Sequence, residues 1–173
     1  VSNLSSTRAL ADITENHNCK YFASAVGEVN VVEKMKNCNA VIGGEGNGGV
    51  IYPSLHYGRD ALVGIALFLT NLAEKEISCL ELRKTYPDYF ISKNKLDLDV
   101  KTDISHIFNH LKMKYSSFKT SIIDGLKIDF DEGWVHLRRS NTEPIIRIYA
   151  ESNTKQKANE LANDFINQIK EII

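Results

Sequence analysis

Trp134-Val135-His136-Leu137-Arg138-Arg139-Ser140-Asn141-Thr142-Glu143-Pro144-Ile145-Ile146-Arg147-Ile148-Tyr149 is the stretch that decides the fold. The residues on either side of its polar centre read as strands, and alternation assigns their faces. Val135, Leu137 and Arg139 share one face; Trp134, His136 and Arg138 share the other. Ser-Asn-Thr followed by Pro is turn chemistry, so the whole reads as strand, loop, strand. The loop also gathers what an anion needs: guanidinium forks, hydroxyl donors and the N–H groups of a tight turn. Residue types alone leave two readings open, a phosphate loop or an ordinary turn beside solvated arginines.

Working outward, residues 126–130 and 121–123 continue the strand pattern before this pair, and residues 103–114 read as a helix with Ile104, Ile107, Phe108 and Leu111 inward. After it, residues 155–173 form a helix capped by Asn153 or Thr154. Its stripe of Ala158, Leu161, Ala162, Phe165, Ile166, Ile169 and Ile173 reads as core. Runs of strands closed by a helix predict a small α+β domain. The N-terminal half alternates instead: strand 1–4, helix 7–15 with Leu10 and Ile13 inward, strand 20–25, helix 30–36, buried strand 40–42. A long helix over 58–75 and a short one capped by Ser78, with Glu81 at the capping-box position, complete it. That alternation favours a sheet covered by helices. The polar stretch after Pro87 marks the boundary region.

A second loop carries chemistry. Ala40-Val41-Ile42-Gly43-Gly44-Glu45-Gly46-Asn47-Gly48-Gly49-Val50-Ile51 is an apolar strand entering a glycine-rich loop. Such a loop lets the backbone approach a ligand closely. Glu45 and Asn47 supply an acceptor and a mixed donor/acceptor, a pair suited to vicinal sugar hydroxyls. The Gly-x-Gly-x-x-Gly spacing is absent and no Gly-Lys-Ser/Thr follows, so neither dinucleotide nor Walker-type binding is indicated. A flexible turn with two polar residues is the alternative.

Arg138-x-Ser140-Asn141-Thr142-Glu143-Pro144-x-x-Arg147 resembles the phosphate-binding loop in the C-terminal domain of the α-D-phosphohexomutases, the family of phosphoglucomutases, phosphomannomutases and phosphoglucosamine mutases. Gly44-Glu45-x-Asn47-Gly48-Gly49 resembles a variant of its sugar-binding loop, with Asn47 where Ser is common and Gly49 where His is common. Ser5-Ser6-Thr7-Arg8, Val26-Gly27-Glu28 and Gly58-Arg59-Asp60-Ala61-Leu62 resemble further segments of the third domain, in family order. The resemblance implies an α/β fold class: a helix-covered mixed-sheet domain over residues 1–95, then a small α+β domain over 96–173, its antiparallel sheet carrying helices on one side. It implies phosphate binding by Arg138, Ser140, Asn141 and Thr142 with Arg147 in support, and sugar binding by Glu45, Asn47 and Gly48. Glu28 is a weaker sugar candidate beside its alternative, a charge favoured by the following helix dipole.

By the same resemblance, the parent enzyme moves a phosphoryl group between the 6- and 1-positions of a hexose, through a phosphoserine and a bisphosphate. Magnesium would be held by an Asp-x-Asp-x-Asp loop in domains preceding this chain. The chain reads as the C-terminal half of such a mutase, inactive alone, with a hexose phosphate and the N-terminal domains as partners and glucosamine phosphate as the favoured substrate. A non-catalytic sugar-phosphate module is the rival; upstream Ser and Asp-rich loops would discriminate. No metal site is expected within the chain: Asp131-Glu132-Gly133 reads as a hairpin turn, and His106 and His110 as a solvated pair.

Bulk properties fit. The chain has 173 residues, 43% hydrophobic and 25% charged, with net charge -1. That balance argues against a nucleic-acid partner. Cys19, Cys38 and Cys79 form neither a zinc pattern nor a disulfide framework, so a reducing cytoplasm is expected. The apolar run 61–69 is too short to span a bilayer.

Overall fold

The structure, a computed structural model, describes every residue except Val100 and Asn141. It divides into two compact units, Val1–Pro87 and Asp88–Ile173. The first unit holds β1 (Ser2–Asn3), α1 (Ala9–Asn16), β2 (Ala23–Ser24), α2 (Glu28–Cys38), β3 (Gly43–Gly44), β4 (Val50–Tyr52), β5 (His56–Arg59), α3 (Ala61–Lys75) and α4 (Cys79–Lys84). Its sheet has the order β2-β1-β3-β4-β5 and is mixed. β1 runs parallel to β2 and β3, as crossover helices require, while β3, β4 and β5 pair antiparallel. Val31 and Met35 of α2 pack on Ile51 of β4.

Two expectations of burial fail in this unit. Leu10 is 42% exposed and α1 buries no residue. The expected buried strand 40–42 shrinks to Gly43–Gly44, with Val41 77% exposed. The cause is the end of α2. Asn39 takes a left-handed conformation, and the N–H groups of Asn39 and Ala40 donate to the carbonyls of Lys36 and Met35. That C-cap absorbs residue 40 and delays the strand. The long helix α3 forms, capped by Asp60, whose Oδ1 accepts from the N–H groups of Leu62 and Val63. Ser78 and Glu81 make the reciprocal capping box of α4.

The second unit holds β6 (Phe90–Asp97), α5 (Ile104–Lys114), β7 (Lys119–Ser121), β8 (Leu126–Phe130), β9 (Gly133–Arg139), β10 (Ile145–Ser152) and α6 (Lys155–Ile172). Its antiparallel sheet has the order β6-β10-β9-β8-β7. Ile107 and Leu111 of α5 and Phe165 and Ile169 of α6 pack on one sheet face, through Ile128, Val135, Leu137, Ile146 and Ile148. Burying each such side chain contributes about 1.5–3 kcal/mol. Thr154 is the cap of α6.

The two compact units meet at Pro87/Asp88, and residues 90–97 form a strand of the second. β6 is an edge strand whose helix-facing positions are Phe90, Ser92, Asn94 and Leu96 and whose opposite positions are Ile91, Lys93, Lys95 and Asp97. Its middle, Ser92 to Lys95, is polar on both faces, so hydropathy conceals it. The first strand of the meander likewise sits at Lys119–Ser121, leaving Ile122 and Ile123 exposed beyond it. Among the described residues no helix is long and apolar enough to cross a membrane.

Candidate functional site

In the second unit, β9 and β10 present the loop 140–144. The N–H of Ser140 donates to Ile145 O at 3.1 Å and that of Ile145 to Glu143 O at 2.8 Å, closing a tight turn. Ser140 is buried, and its Oγ lies 3.5 Å from Thr142 Oγ1, while Thr142 is exposed. Asn141 lies outside the described residues. Arg138 and Arg147 face each other directly across the β9–β10 pairing. Opposite residues share a face, so both guanidinium groups stand on the sheet face away from α5 and α6. Arg139 belongs to the other face and is exposed.

Two residues that sequence reading passed over hold Arg138. Asp124 Oδ2 lies 2.8 Å from Arg138 Nε. The contact is close but out of line for the N–H, so this buried nitrogen makes no directed hydrogen bond among the described residues. Asp124 is itself fixed by His136, whose Nε2 donates to Asp124 O at 2.6 Å. Donation to a carbonyl requires the proton on Nε2. Burial is the main cause that pushes the His136 pKa down to about 4, so the ring is neutral at pH 7. Gly125 makes the return of the chain possible: its φ is +79°, and a Cβ there would stand 2.1 Å from Leu137 O. The Asp124-Gly125 dipeptide before a strand was the available signal.

In the first unit, the loop 45–49 leaves β3 and returns into β4. Glu45 N–H donates to Gly49 O at 3.2 Å, and Asn47 Oδ1 accepts from Gly49 N–H at 3.1 Å. Gly48 has φ +87°, a turn position costly for other residues. Glu45 Oε1 accepts from Asn3 Nδ2 at 2.8 Å and from the N–H of Gly27 at 3.0 Å. Asn3 in turn accepts from Ser5 N–H and Ser6 Oγ. Two separate segments thus converge on one carboxylate, and Oε2 stands outside these bonds. Asn3 is a residue that sequence reading missed, 42 positions from its partner.

Glu28 opens α2 and is engaged by Arg59: Oε2 lies 2.7 Å from Arg59 Nε, and Oε1 accepts from Arg59 N–H at 3.2 Å. Its carboxylate therefore holds Arg59 as well as sitting at a helix N-terminus. An open cleft of about 610 Å³ is lined by Glu28, Asn47, Gly48, Gly49, Gly58 and Arg59. It is of the size that takes a small polar molecule. His56 helps fix the rim: its Nδ1 accepts from Gly58 N–H, and its Nε2 lies 3.1 Å from Asp60 Oδ2.

Among the described residues no group of three or more His, Cys, Asp or Glu is placed to hold a metal ion. Asp131 and Glu132 form the two-residue turn between Phe130 and Gly133, and Glu132 pairs with Lys157. His106 and His110 are exposed, their rings 6.5 Å apart. Among the described residues no such cluster fits a magnesium ion.

Residues 1–89 match the family domain described as phosphoglucomutase/phosphomannomutase, alpha/beta/alpha domain III, and residues 94–168 match the C-terminal domain of the same family. A phosphoglucosamine/phosphogalactosamine mutase of Sulfurisphaera tokodaii is 35% identical, over 100% of this chain and 38% of its own length. A phosphoglucomutase/phosphomannomutase family protein of Burkholderia thailandensis has a similar fold, with TM-score 0.77 and 24% identity over 98% of this chain and 36% of its own. So does the Aspergillus fumigatus N-acetylphosphoglucosamine mutase in complex with GlcNAc-6P and magnesium, with TM-score 0.66 and 15% identity over 97% of this chain and 40% of its own. The chain thus spans well under half the length of these proteins.

Proposed function

Because the chain belongs to the phosphoglucomutase/phosphomannomutase family, we propose that the protein containing it interconverts hexose 6-phosphate and hexose 1-phosphate, with glucosamine phosphate as the preferred substrate. The phosphoserine and the magnesium ion of that reaction are assigned to domains preceding these residues, and the chain alone is inactive. Magnesium, where bound, neutralises charge on the transferring phosphoryl group. The observation that carries the reading is the root of the loop 138–147. Arg138 and Arg147 stand opposite each other, and among the described residues one carboxylate, that of Asp124 on Arg138, lies within ion-pair distance of the pair.

Each unit supplies one chemical half of sugar-phosphate recognition. Arg138, Ser140, Asn141 and Thr142 hold the phosphate that is not reacting, and Arg147 supports them. Their binding energy is used to position the far end of the sugar, which raises the rate of transfer there. Glu45, through the oxygen left outside its structural bonds, and Asn47 and Gly48 hold sugar hydroxyls. A phosphate anchor indifferent to which carbon bears the phosphate permits the flipped binding that a bisphosphate intermediate requires. Charge-assisted hydrogen bonds from arginine suit that task, since they read the phosphate and not the ring. The preference for glucosamine phosphate is supported by the Sulfurisphaera tokodaii relative, a phosphoglucosamine/phosphogalactosamine mutase.

The test is turnover by the full-length protein with glucosamine, glucose and mannose 6-phosphates, beside Arg138→Ala. Interconversion that is fastest for glucosamine 6-phosphate, with kcat/KM reduced at least about tenfold in the variant, agrees with the proposal. Saturable sugar-phosphate binding without turnover would instead indicate a non-catalytic binding module.

A further inference from the structure

We infer that Lys95 is a further positioning residue for the phosphate, the third member of a cationic row crossing three adjacent strands. The inference rests on the phosphate reading of the loop 138–147. Lys95 on β6 stands directly opposite Arg147 on β10, and Arg147 directly opposite Arg138 on β9. Residues so paired have Cβ atoms about 5 Å apart on one face. The opposite face is the packed one: Leu96, Ile146, Ile148 and Leu137 run into the core under α5 and α6.

Two other lysines of the Lys95 face, Lys93 and Lys127, have partners within it, and Lys119 stands opposite Asp129 at the far edge of the sheet. Lys93 Nζ lies 5.6 Å from the centre of the Tyr149 ring. Lys127 Nζ lies 4.5 Å from the Trp134 ring and 3.8 Å from Asp129 Oδ1. Lys95 is exposed. Among the described residues, the carboxylate within ion-pair distance of the row is Asp124, on Arg138. Asp97, two positions along β6 on the same side, is the next acidic group on that strand.

Like charges directly opposite on neighbouring strands are destabilising. The sheet nevertheless places three in succession, with Asp124 paired to one of them. A phosphate at the loop neutralises the remaining excess. Lys95 acts there as a point charge rather than a fork of bonds, so its effect is modest and screened by salt.

The test is calorimetric titration of this chain with inorganic phosphate, with thermal melts in parallel, on the wild type, Lys95→Met, Lys95→Arg and Arg138→Ala. Lys95→Met is expected to bind phosphate about two- to fivefold more weakly. It should also melt no lower than the wild type without phosphate and show a shallower salt dependence of binding. Lys95→Arg, which keeps the charge, restores affinity. Unchanged affinity in Lys95→Met with loss in Arg138→Ala would overturn the inference and leave the phosphate reading standing. Equal loss in Lys95→Met and Lys95→Arg would mark a structural role and also overturn it. Absence of phosphate binding by the wild type would overturn both.

Discussion

The two loops are held by different physics. The loop 140–144 of the second unit grows from strands that belong to a cluster of twelve buried residues, whereas the cluster beneath the glycine loop of the first unit has three. Apolar packing fixes β9 and β10, so Arg138 and Arg147 are displayed by a rigid sheet. The glycine loop is fixed instead by polar bonds from distant segments, Asn3 and Gly27 to Glu45 and Arg59 to Glu28. The comparison teaches that one loop is positioned by a core and the other by a hydrogen-bond network. Damage should therefore propagate differently in each.

The largest effect tests the core. Phe165→Ala should cost about 3–5 kcal/mol by urea denaturation of this chain, since the ring is fully buried among Tyr115, Phe130 and the sheet. A cost under about 1 kcal/mol would break the comparison.

Next comes pH. His136 is neutral in the fold with its pKa lowered to about 4 from an ordinary 6.5, so the unfolded chain protonates first as pH falls. Its contribution is complete above pH 6.5 and is lost between 6.5 and 4, amounting to roughly 3 kcal/mol. The His136→Gln variant keeps a donor for Asp124 O and should flatten the denaturation midpoint across that window. An equally steep loss in the variant would assign the pH dependence to other groups.

Arg138→Ala should weaken phosphate binding by about ten- to a hundredfold, the value of one or two charge-assisted hydrogen bonds at about 1.5–3 kcal/mol. Asn3→Ala should cost about 1 kcal/mol of stability and, under the proposed function, raise the KM of the full-length protein for hexose phosphate with less change in kcat, because Glu45 loses one of its two anchors. Smallest of all, Leu62→Ser on the exposed side of α3 should stay within about 0.5 kcal/mol in this chain, since Leu62 is 77% exposed. A larger loss would mean that α3 buries more than the structure gives.

Legibility followed the same division. β9 and β10 were readable because alternation, turn residues and core burial agree from Trp134 to Tyr149, and the stripe of α6 was readable because Ala158, Ala162, Phe165 and Ile169 all go inward, while Ile173 at its end is 62% exposed. β6 was hidden because an edge strand with polar residues on both faces carries no hydropathic signal. Residues 40–42 misled because an apolar run cannot announce that a left-handed Asn39 will delay the strand. The support of both loops was the least legible part. Asp124 reaches Arg138 and Asn3 reaches Glu45 only through tertiary folding, and no spacing in the chain records either contact. Glu28 was visible as a helix-start charge, but its grip on Arg59 was not.

The central claim is that the loop 138–147 anchors a phosphate. The most direct measurement is an amide NMR titration of this chain with glucosamine 6-phosphate and with inorganic phosphate, beside Arg138→Ala. The account predicts saturable shifts at the described amides of 138–147 with both ligands, abolished by the substitution while the shifts of α6 stay in place. Shifts that never saturate, or that survive unchanged in Arg138→Ala, would contradict it.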